Sequence, residues 1–450
     1  MKTIAAISTP MGHGGIGIVR ISGDKSLEII SKVFNPKNEG ELKPYTIKFG
    51  NIVDEQGIYI DQVLVSYFKA PKTYTGEDIC EINCHGGLIV TKQILELVLR
   101  NGAELAKPGE FTERAFLNGK IDLTQAEAVM DLINSKSAKE KSVSLKQLEG
   151  YLGKKIKEIK DEIIDLLVDI EANIDYPEYD VPEIQKEKVV NVLNDAIYKI
   201  EKLEKTFESG KILKEGVNTA IVGKPNVGKS SLLNALLREN RAIVTEVAGT
   251  TRDTIEEYVT IKGIPLKLID TAGIRETTDI VENIGIEKSK NAIEESELVL
   301  LLLDASSGLC EEDNELLRLI KSKKHIVLIN KIDMQSKINF NDINDENIIE
   351  ISVKNDVGLD KLEDKIEEIF AVNTLETDDN IMITNVRHQT LILNAKKELK
   401  NAIDSVNNDI PLDMLSIDIS NAIQNLGEIT GEAVSEDVIK GIFAKFCLGK

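Results

Sequence analysis

Residues 218–237 read NTAIVGKPNVGKSSLLNALL. An apolar run leads into Gly223, Gly228, Lys229 and Ser230 at the spacing G-x-x-x-x-G-K-S, and a helical pattern follows. Strand, glycine loop and helix in that order make a phosphate-binding loop, because glycine lets backbone N–H groups converge on phosphate oxygens. An isolated glycine-rich turn would not match all four positions in this context. The candidate phosphate contacts are Asn226, Val227, Gly228, Lys229, Ser230 and Ser231. Lys229 is expected on the β- and γ-phosphates, and the Ser230 hydroxyl on magnesium.

Downstream segments complete the site. NKID places Asn330, Lys331, Ile332 and Asp333 after an apolar strand. A carboxylate there accepts both the ring N–H and the exocyclic amine of guanine, a donor pair that adenine lacks, so GTP is expected. ISVK (351–354) is expected to close the base pocket. DTAG supplies Asp270, Thr271, Ala272 and Gly273, with Asp270 acting on magnesium through water and the Gly273 amide sensing the γ-phosphate. Between them, VAGTTRD (247–253) occupies the place of a switch loop, and Thr245, Glu246, Val247, Ala248, Gly249, Thr250 and Thr251 are the candidate GTP contacts there. Thr251 is the expected magnesium ligand there, with Thr250 in reserve. Many small GTPases put a water-orienting glutamine directly after DTAG. This chain has Ile274, which leaves Glu276, Asp279, Glu282 and Glu287 as candidates, each otherwise a solvated charge.

The rest of the chain sets this site in a larger frame. At ~150 residues per domain, 450 residues suggest about three domains. Residues 1–118 carry short strand-like runs (TIAAIS, IGIVRIS, QVLVSYF), as an α+β domain does. Residues 119–215 turn helical, with Leu145, Leu148, Leu152, Ile156 and Ile159 opening a run that continues to Ile174. Residues 216–373 alternate apolar strands with helices, which implies a parallel sheet covered on both faces. Residues 374–450 are helical again. The expected fold class is α/β plus α+β and all-α: a P-loop GTPase domain inserted into a helical domain, preceded by an α+β domain.

Composition narrows the partners. Lys+Arg number 55 against 76 Asp+Glu, a net charge of −21, so nucleic acid is repelled except at a local basic patch or through a partner. The longest apolar run, Leu298 to Leu303, is far short of the ~20 residues of a membrane span, and the N-terminus is too short for a secretory signal. Four cysteines in such a length make no disulfide framework. A cytoplasmic protein without a membrane partner is expected. GHGGIG (12–17) imitates a dinucleotide fingerprint, but strand-like IVRISG follows where a helix is required. Cys80, Cys84 and His85 lie close together, yet no second ligand pair exists, so they read as structural. The chain ends FCLGK, with Cys447 fourth from the end; Gly449 and Lys450 do not fit a prenylation signal.

Taken with PGEFTERAFLNGKIDLTQAEAV, DTAGIRETTDIVENIGIEKS, IVTEVAGTTRD and the terminal CLGK, the chain resembles the MnmE (TrmE) family of tRNA modification GTPases over nearly its whole length. The resemblance implies a homodimer whose G domains pair in the presence of potassium. The positions matching the family's potassium ligands are Asn226, Thr245, Val247 and Thr250, and Glu282 matches the residue that orients its hydrolytic water indirectly. It implies a 5-formyl- or methylene-tetrahydrofolate bound in the N-terminal domain, at Arg20, Glu81, Lys120 and Lys450, each otherwise a surface charge. It implies modification of the wobble uridine of certain tRNAs with the flavoprotein MnmG in a heterotetramer, and a need for the Cys447 thiol. The competing expectation is a GTPase switch in ribosome assembly. It uses the same residues 216–373 but requires neither a folate pocket nor a terminal thiol.

Overall fold

The computed structural model describes the chain except residues 39, 176–184, 241–256, 270–281, 339–342, 344 and 371–380. It divides into two compact units: Met1–Met130 with Gln147–Ile184 and Asp404–Lys450, and Asp131–Lys146 with Gln185–Ile403.

The first unit is built on a seven-stranded sheet. Its strands are β1 (Ile4–Ile7), β2 (Ile16–Ser22), β3 (Phe34–Pro36), β4 (Thr46–Val53), β5 (Tyr59–Phe68), β6 (Ile79–His85) and β7 (Glu104–Leu105), in the order β3-β4-β5-β6-β2-β1-β7. Strand alternation sorts the side chains. Val19, Ile21, Val63, Val65, Cys80, Ile82 and Cys84 point into one core with helices α1 (Ser26–Val33) and α2 (Leu88–Arg100). The two thiols are therefore packing groups, and burial pushes Cys80 up to about 12 and Cys84 to about 11. His85 takes the opposite face, paired with the buried Asp61 at 2.7 Å. GHGGIG leads into β2, as the strand-like reading of IVRISG requires.

Helices α3 (Glu110–Leu117), α4 (Leu123–Ile133) and α15 (Glu436–Phe443) meet around Phe116, Leu123, Val129, Phe443 and Phe446. The long periodic run that began at Leu145 is two helices. Helix α5 (Ala138–Leu148) stops, Gly150 turns left-handed at φ 85°, and α6 (Tyr151–Asp175) restarts. A hydrogen bond from Gln125 Nε2 takes the Leu148 carbonyl at the break. Helix α6 packs along α14 (Leu412–Thr430). The proline-containing stretch at 176–184 lies outside the described residues.

The second unit holds a six-stranded sheet. Its strands are β8 (Val217–Val222), β9 (Glu257–Ile261), β10 (Ile264–Leu268), β11 (Leu298–Asp304), β12 (Lys324–Asn330) and β13 (Ile348–Glu350), in the order β13-β12-β11-β8-β10-β9. The central runs are buried on both faces, in two hydrophobic cores. One edge departs from the all-parallel expectation: β9 runs antiparallel to β10. Lys262 and Gly263, both at positive φ, form a two-residue turn that can join only antiparallel neighbours. Helices α7 (Lys186–Glu204), α8 (Phe207–Glu215), α9 (Lys229–Asn240), α10 (Glu282–Glu295), α11 (Glu311–Ile320), α12 (Leu359–Phe370) and α13 (Val386–Asn407), with a 3-10 turn at Val353–Asn355, complete the described elements. Among the described residues no helix is long and apolar enough to cross a membrane.

Candidate functional site

The nucleotide site lies beyond the C-terminal ends of β8, β11 and β12. Residues 223–228 link β8 to α9, and close approach dictates two of the glycines. A Cβ on Gly223 would stand 2.4 Å from the Leu302 carbonyl oxygen, and one on Gly228 2.4 Å from Asn330 Nδ2. Asn226 holds a left-handed turn at φ 62°. Lys229, half-buried at the start of α9, donates to the Lys224 carbonyl at 2.8 Å, and burial lowers its pKa. Val227 is buried, Ser230 is half-buried and Ser231 is exposed in the first turn of α9.

The base-recognition segment is tied to this loop by side chains. Asn330 is 3% exposed; its Nδ2 donates to the Val227 carbonyl at 2.8 Å and its Oδ1 accepts from the Val353 N–H at 3.2 Å. Lys331, at φ 67°, donates to the Asn226 carbonyl at 2.8 Å and to Asp304 at 2.6 Å. Asp333 accepts from the Ser352 hydroxyl at 2.7 Å, and that bond holds its carboxyl below the usual range. ISVK thus packs against NKID, with Ile332 partly buried against the second core of the sheet.

Sequence reasoning missed Asp304. Its burial opposes ionisation, yet the bonds from Lys331 and Ser306 win and lower its pKa. The signal was present: an aspartate closes the apolar β11 in register with Asn330. Thr245, Glu246, Val247, Ala248, Gly249, Thr250 and Thr251 lie outside the described residues, as do Asp270, Thr271, Ala272 and Gly273. Glu282 opens helix α10.

A second cluster sits on the first unit, where the chain ends. Arg20 on β2 and Glu81 on β6 are cross-strand partners, Nε to Oε1 2.8 Å. The guanidinium also stands 5.7 Å above the Phe111 ring. The tail runs onto this pair. The Gly449 carbonyl accepts from Ser8 Oγ at 3.1 Å and from Arg20 Nη1 at 3.4 Å. The backbone N–H groups of Gly109 and Phe111 donate to the carbonyls of Cys447 and Lys450 at 3.4 and 3.3 Å. Gly449 fits because it has no Cβ: at φ 87°, one would lie 2.3 Å from the Ile7 carbonyl oxygen. Burial, then the Arg20 charge, lowers the Lys450 pKa. Arg20, Glu81 and Lys450 are thus brought together, with the exposed Cys447 thiol beside them. Lys120 instead donates to the Pro71 carbonyl at 3.0 Å, at the far end of α3. Ser8, Phe111 and Gly449 had no sequence signal of their own, because only the docked tail gives them a role.

A mostly parallel sheet with a lysine-bearing phosphate loop and an NKID segment tied to it defines a P-loop GTPase, here joined to an α+β sheet domain and long helices. Two family models match: the TrmE N-terminus of GTP-binding proteins over residues 3–120, and the MnmE helical domain over 123–447. A tRNA modification GTPase MnmE from Acetivibrio thermocellus is 51% identical, covering 100% of this chain and 99% of that protein. Another from Thermoanaerobacter pseudethanolicus is 50% identical with the same coverage. Among solved structures, the G domain of the T. maritima iron transporter FeoB is 28% identical, covering 34% of this chain and 97% of that one at a TM-score of 0.25. The chain belongs to the MnmE family of tRNA modification GTPases. It is a GTP hydrolase acting in tRNA modification. Because the match includes both ends of the chain, it favours this role over the ribosome-assembly switch.

Proposed function

We propose that the protein is a potassium-stimulated GTPase that acts with the flavoprotein MnmG. Together they install an aminomethyl-type group at C5 of the wobble uridine of certain tRNAs, with a tetrahydrofolate as one-carbon donor, in the cytoplasm. The observation that carries this reading is the docked tail. It sets Lys450 and the Cys447 thiol beside the Arg20–Glu81 pair, where a carboxylate suits a pterin's N–H groups and the cations suit its carbonyls and glutamyl tail. Lys120, bonded to the Pro71 carbonyl at the far end of α3, stands apart from this cluster.

In the GTPase domain, Asn226, Val227, Gly228, Lys229, Ser230 and Ser231 cradle the phosphates. Asn330, Lys331, Ile332 and Asp333 select guanine, Asp333 with its carboxylate on the base edge. Ser230 and Thr251, with Asp270, would hold magnesium, which would offset charge on the phosphates. The segments 245–251 and 270–273 are the switches. Asn226, Thr245, Val247 and Thr250 would hold potassium, which supplies positive charge where an arginine finger acts elsewhere. Glu282 orients the hydrolytic water. Homodimerisation is supported by the sheet face that carries Arg20 and Glu81, since Ile16, Ile47, Phe49 and Leu64 stand exposed on it.

The test is reconstituted modification of an unmodified tRNA with MnmG, GTP and folate, in potassium or sodium buffer. Wild type should modify only with all components and faster in potassium. Glu282→Ala should lose GTP turnover while GTP affinity stays within a few-fold. Modification that proceeds without MnmG or folate, or a Glu282→Ala that turns over normally, would refute the scheme.

A further inference from the structure

With 76 acidic against 55 basic residues, the protein can hold RNA only where cations are left over. The tail region of the first unit has such a surplus. Lys107 and Lys445 flank the meeting point of Gly109 and Cys447. At the other end of α3, the bond from Lys120 to Pro71 brings that cation to the loop carrying Lys69 and Lys72. All five lysines are exposed, and among the described residues none of the five forms a salt bridge.

The acids of this region are committed internally. Glu77 and Glu110 hold the buried Arg114, Glu81 holds Arg20, and Asp78 takes the Ala70 N–H and the Tyr67 hydroxyl. Glu113, near Lys107, and the exposed Glu436 and Asp437 of α15, near Lys440, offset part of the charge. Between the two groups of lysines stands Tyr74. Its hydroxyl is fixed at 2.8 Å from Thr112 Oγ1, and the residue is 37% exposed. Cations strung along an eight-residue helix of about 12 Å, with a fixed aromatic ring among them, suit a phosphate backbone with a base stacked between.

We propose that Lys69, Lys72, Lys107, Lys120 and Lys445 form a rim that binds the phosphates of a single-stranded RNA loop, with Tyr74 as stacking platform. The rim delivers the substrate base to the face bearing Cys447 and Lys450. This rests on the tRNA-modifying role proposed above.

The test is binding of fluorescent unmodified tRNA to the full-length chain alone, from 50 to 200 mM KCl. Five contacts give a slope of about −3.5 in log affinity against log salt, roughly a 100-fold loss over that range. The quadruple variant Lys69→Gln, Lys72→Gln, Lys107→Gln, Lys445→Gln should flatten the slope to about −0.7 and weaken binding at 100 mM at least 30-fold. Tyr74→Leu should weaken binding about tenfold and leave the slope alone. Lys154→Gln with Lys157→Gln, on the exposed side of α6, is the control and should change neither; GTP turnover reports folding of every variant. A quadruple variant that binds like wild type overturns the rim but not the tRNA role. A control that weakens binding equally also overturns it, since diffuse charge then explains the affinity. Wild type that binds no tRNA at any salt overturns the rim, and the role is then read separately from modification in the presence of MnmG. Loss of affinity for a polyglutamylated folate without loss for tRNA makes the lysines a folate-tail site and overturns the RNA assignment.

Discussion

Replacing Asn330 by alanine isolates what the NKID asparagine does. The side chain is 3% exposed and joins two loops, donating to Val227 at 2.8 Å and accepting from Val353 at 3.2 Å. Alanine leaves a carbonyl in the phosphate loop and an N–H in the base loop unpaired. Each orphan costs about 1–3 kcal/mol, and water entering beside Gly228 recovers part of that, so a net loss of about 3 kcal/mol is expected. The two loops are both nucleotide-binding, so most of the loss should appear as weaker nucleotide binding, roughly 150-fold in Kd. Asn330→Asp should be worse than alanine, because it sets a carboxylate oxygen against the Val227 carbonyl while keeping the acceptor for Val353. The assay is titration of a fluorescent GDP analogue into the full-length chain, with thermal unfolding of each variant in parallel. An alanine variant that binds GDP within threefold of wild type and unfolds at the same temperature would refute the bridging argument. So would an aspartate variant that binds better than alanine.

Other consequences follow from single groups. Glu140, 5% exposed, has its carboxyl pushed up to about 7, first by burial, against the Lys136 N–H and the Lys136 and Lys214 charges, and with Asp131 adding to the rise. Between about pH 4.5 and 7 the folded chain keeps a proton that the unfolded chain has lost, so stability falls as pH rises through that window. Glu140→Gln should be nearly neutral at pH 4.5 and about 2 kcal/mol stabilising at pH 8 by thermal unfolding; an unchanged difference across that range contradicts the assignment. Asn226→Ala should abolish most of the difference in GTP turnover between potassium and sodium, and a surviving salt preference removes it from the cation site. Gly449→Ala places a Cβ against the Ile7 carbonyl and should lift the tail, costing tenfold or more in folate affinity by titration calorimetry; wild-type affinity would mean the tail contact is incidental.

The GTPase core was legible because its chemistry is local. Glycine loop, NKID and apolar strands each lie within a few consecutive residues, and β8, β11 and β12 follow from uninterrupted apolar runs. Long-range couplings were not legible. Asn330 reads as a base contact in sequence, whereas its buried amide ties the phosphate loop to the turn at Val353. Asp304 is a plain strand-end carboxylate until register sets it beside Lys331. The break at Gly150 was hidden because apolar spacing of three and four persists through it, and only a positive φ ends the helix. In the N-terminal domain, Arg20 and Glu81 are 61 residues apart and become partners through antiparallel register. Family resemblance, and not residue pattern, pointed to them; Ser8 and Phe111 were reachable by neither.

The most direct measurement is calorimetric titration of 5-formyltetrahydrofolate into the intact chain and into a chain ending at Phe446. The shorter form loses Lys450 and the Gly449 carbonyl that holds Ser8 and Arg20. Saturable binding to the intact chain that weakens at least tenfold without the last four residues is the result expected of a folate pocket completed by the tail. Equal affinity in the two forms, or no binding to either, would contradict it.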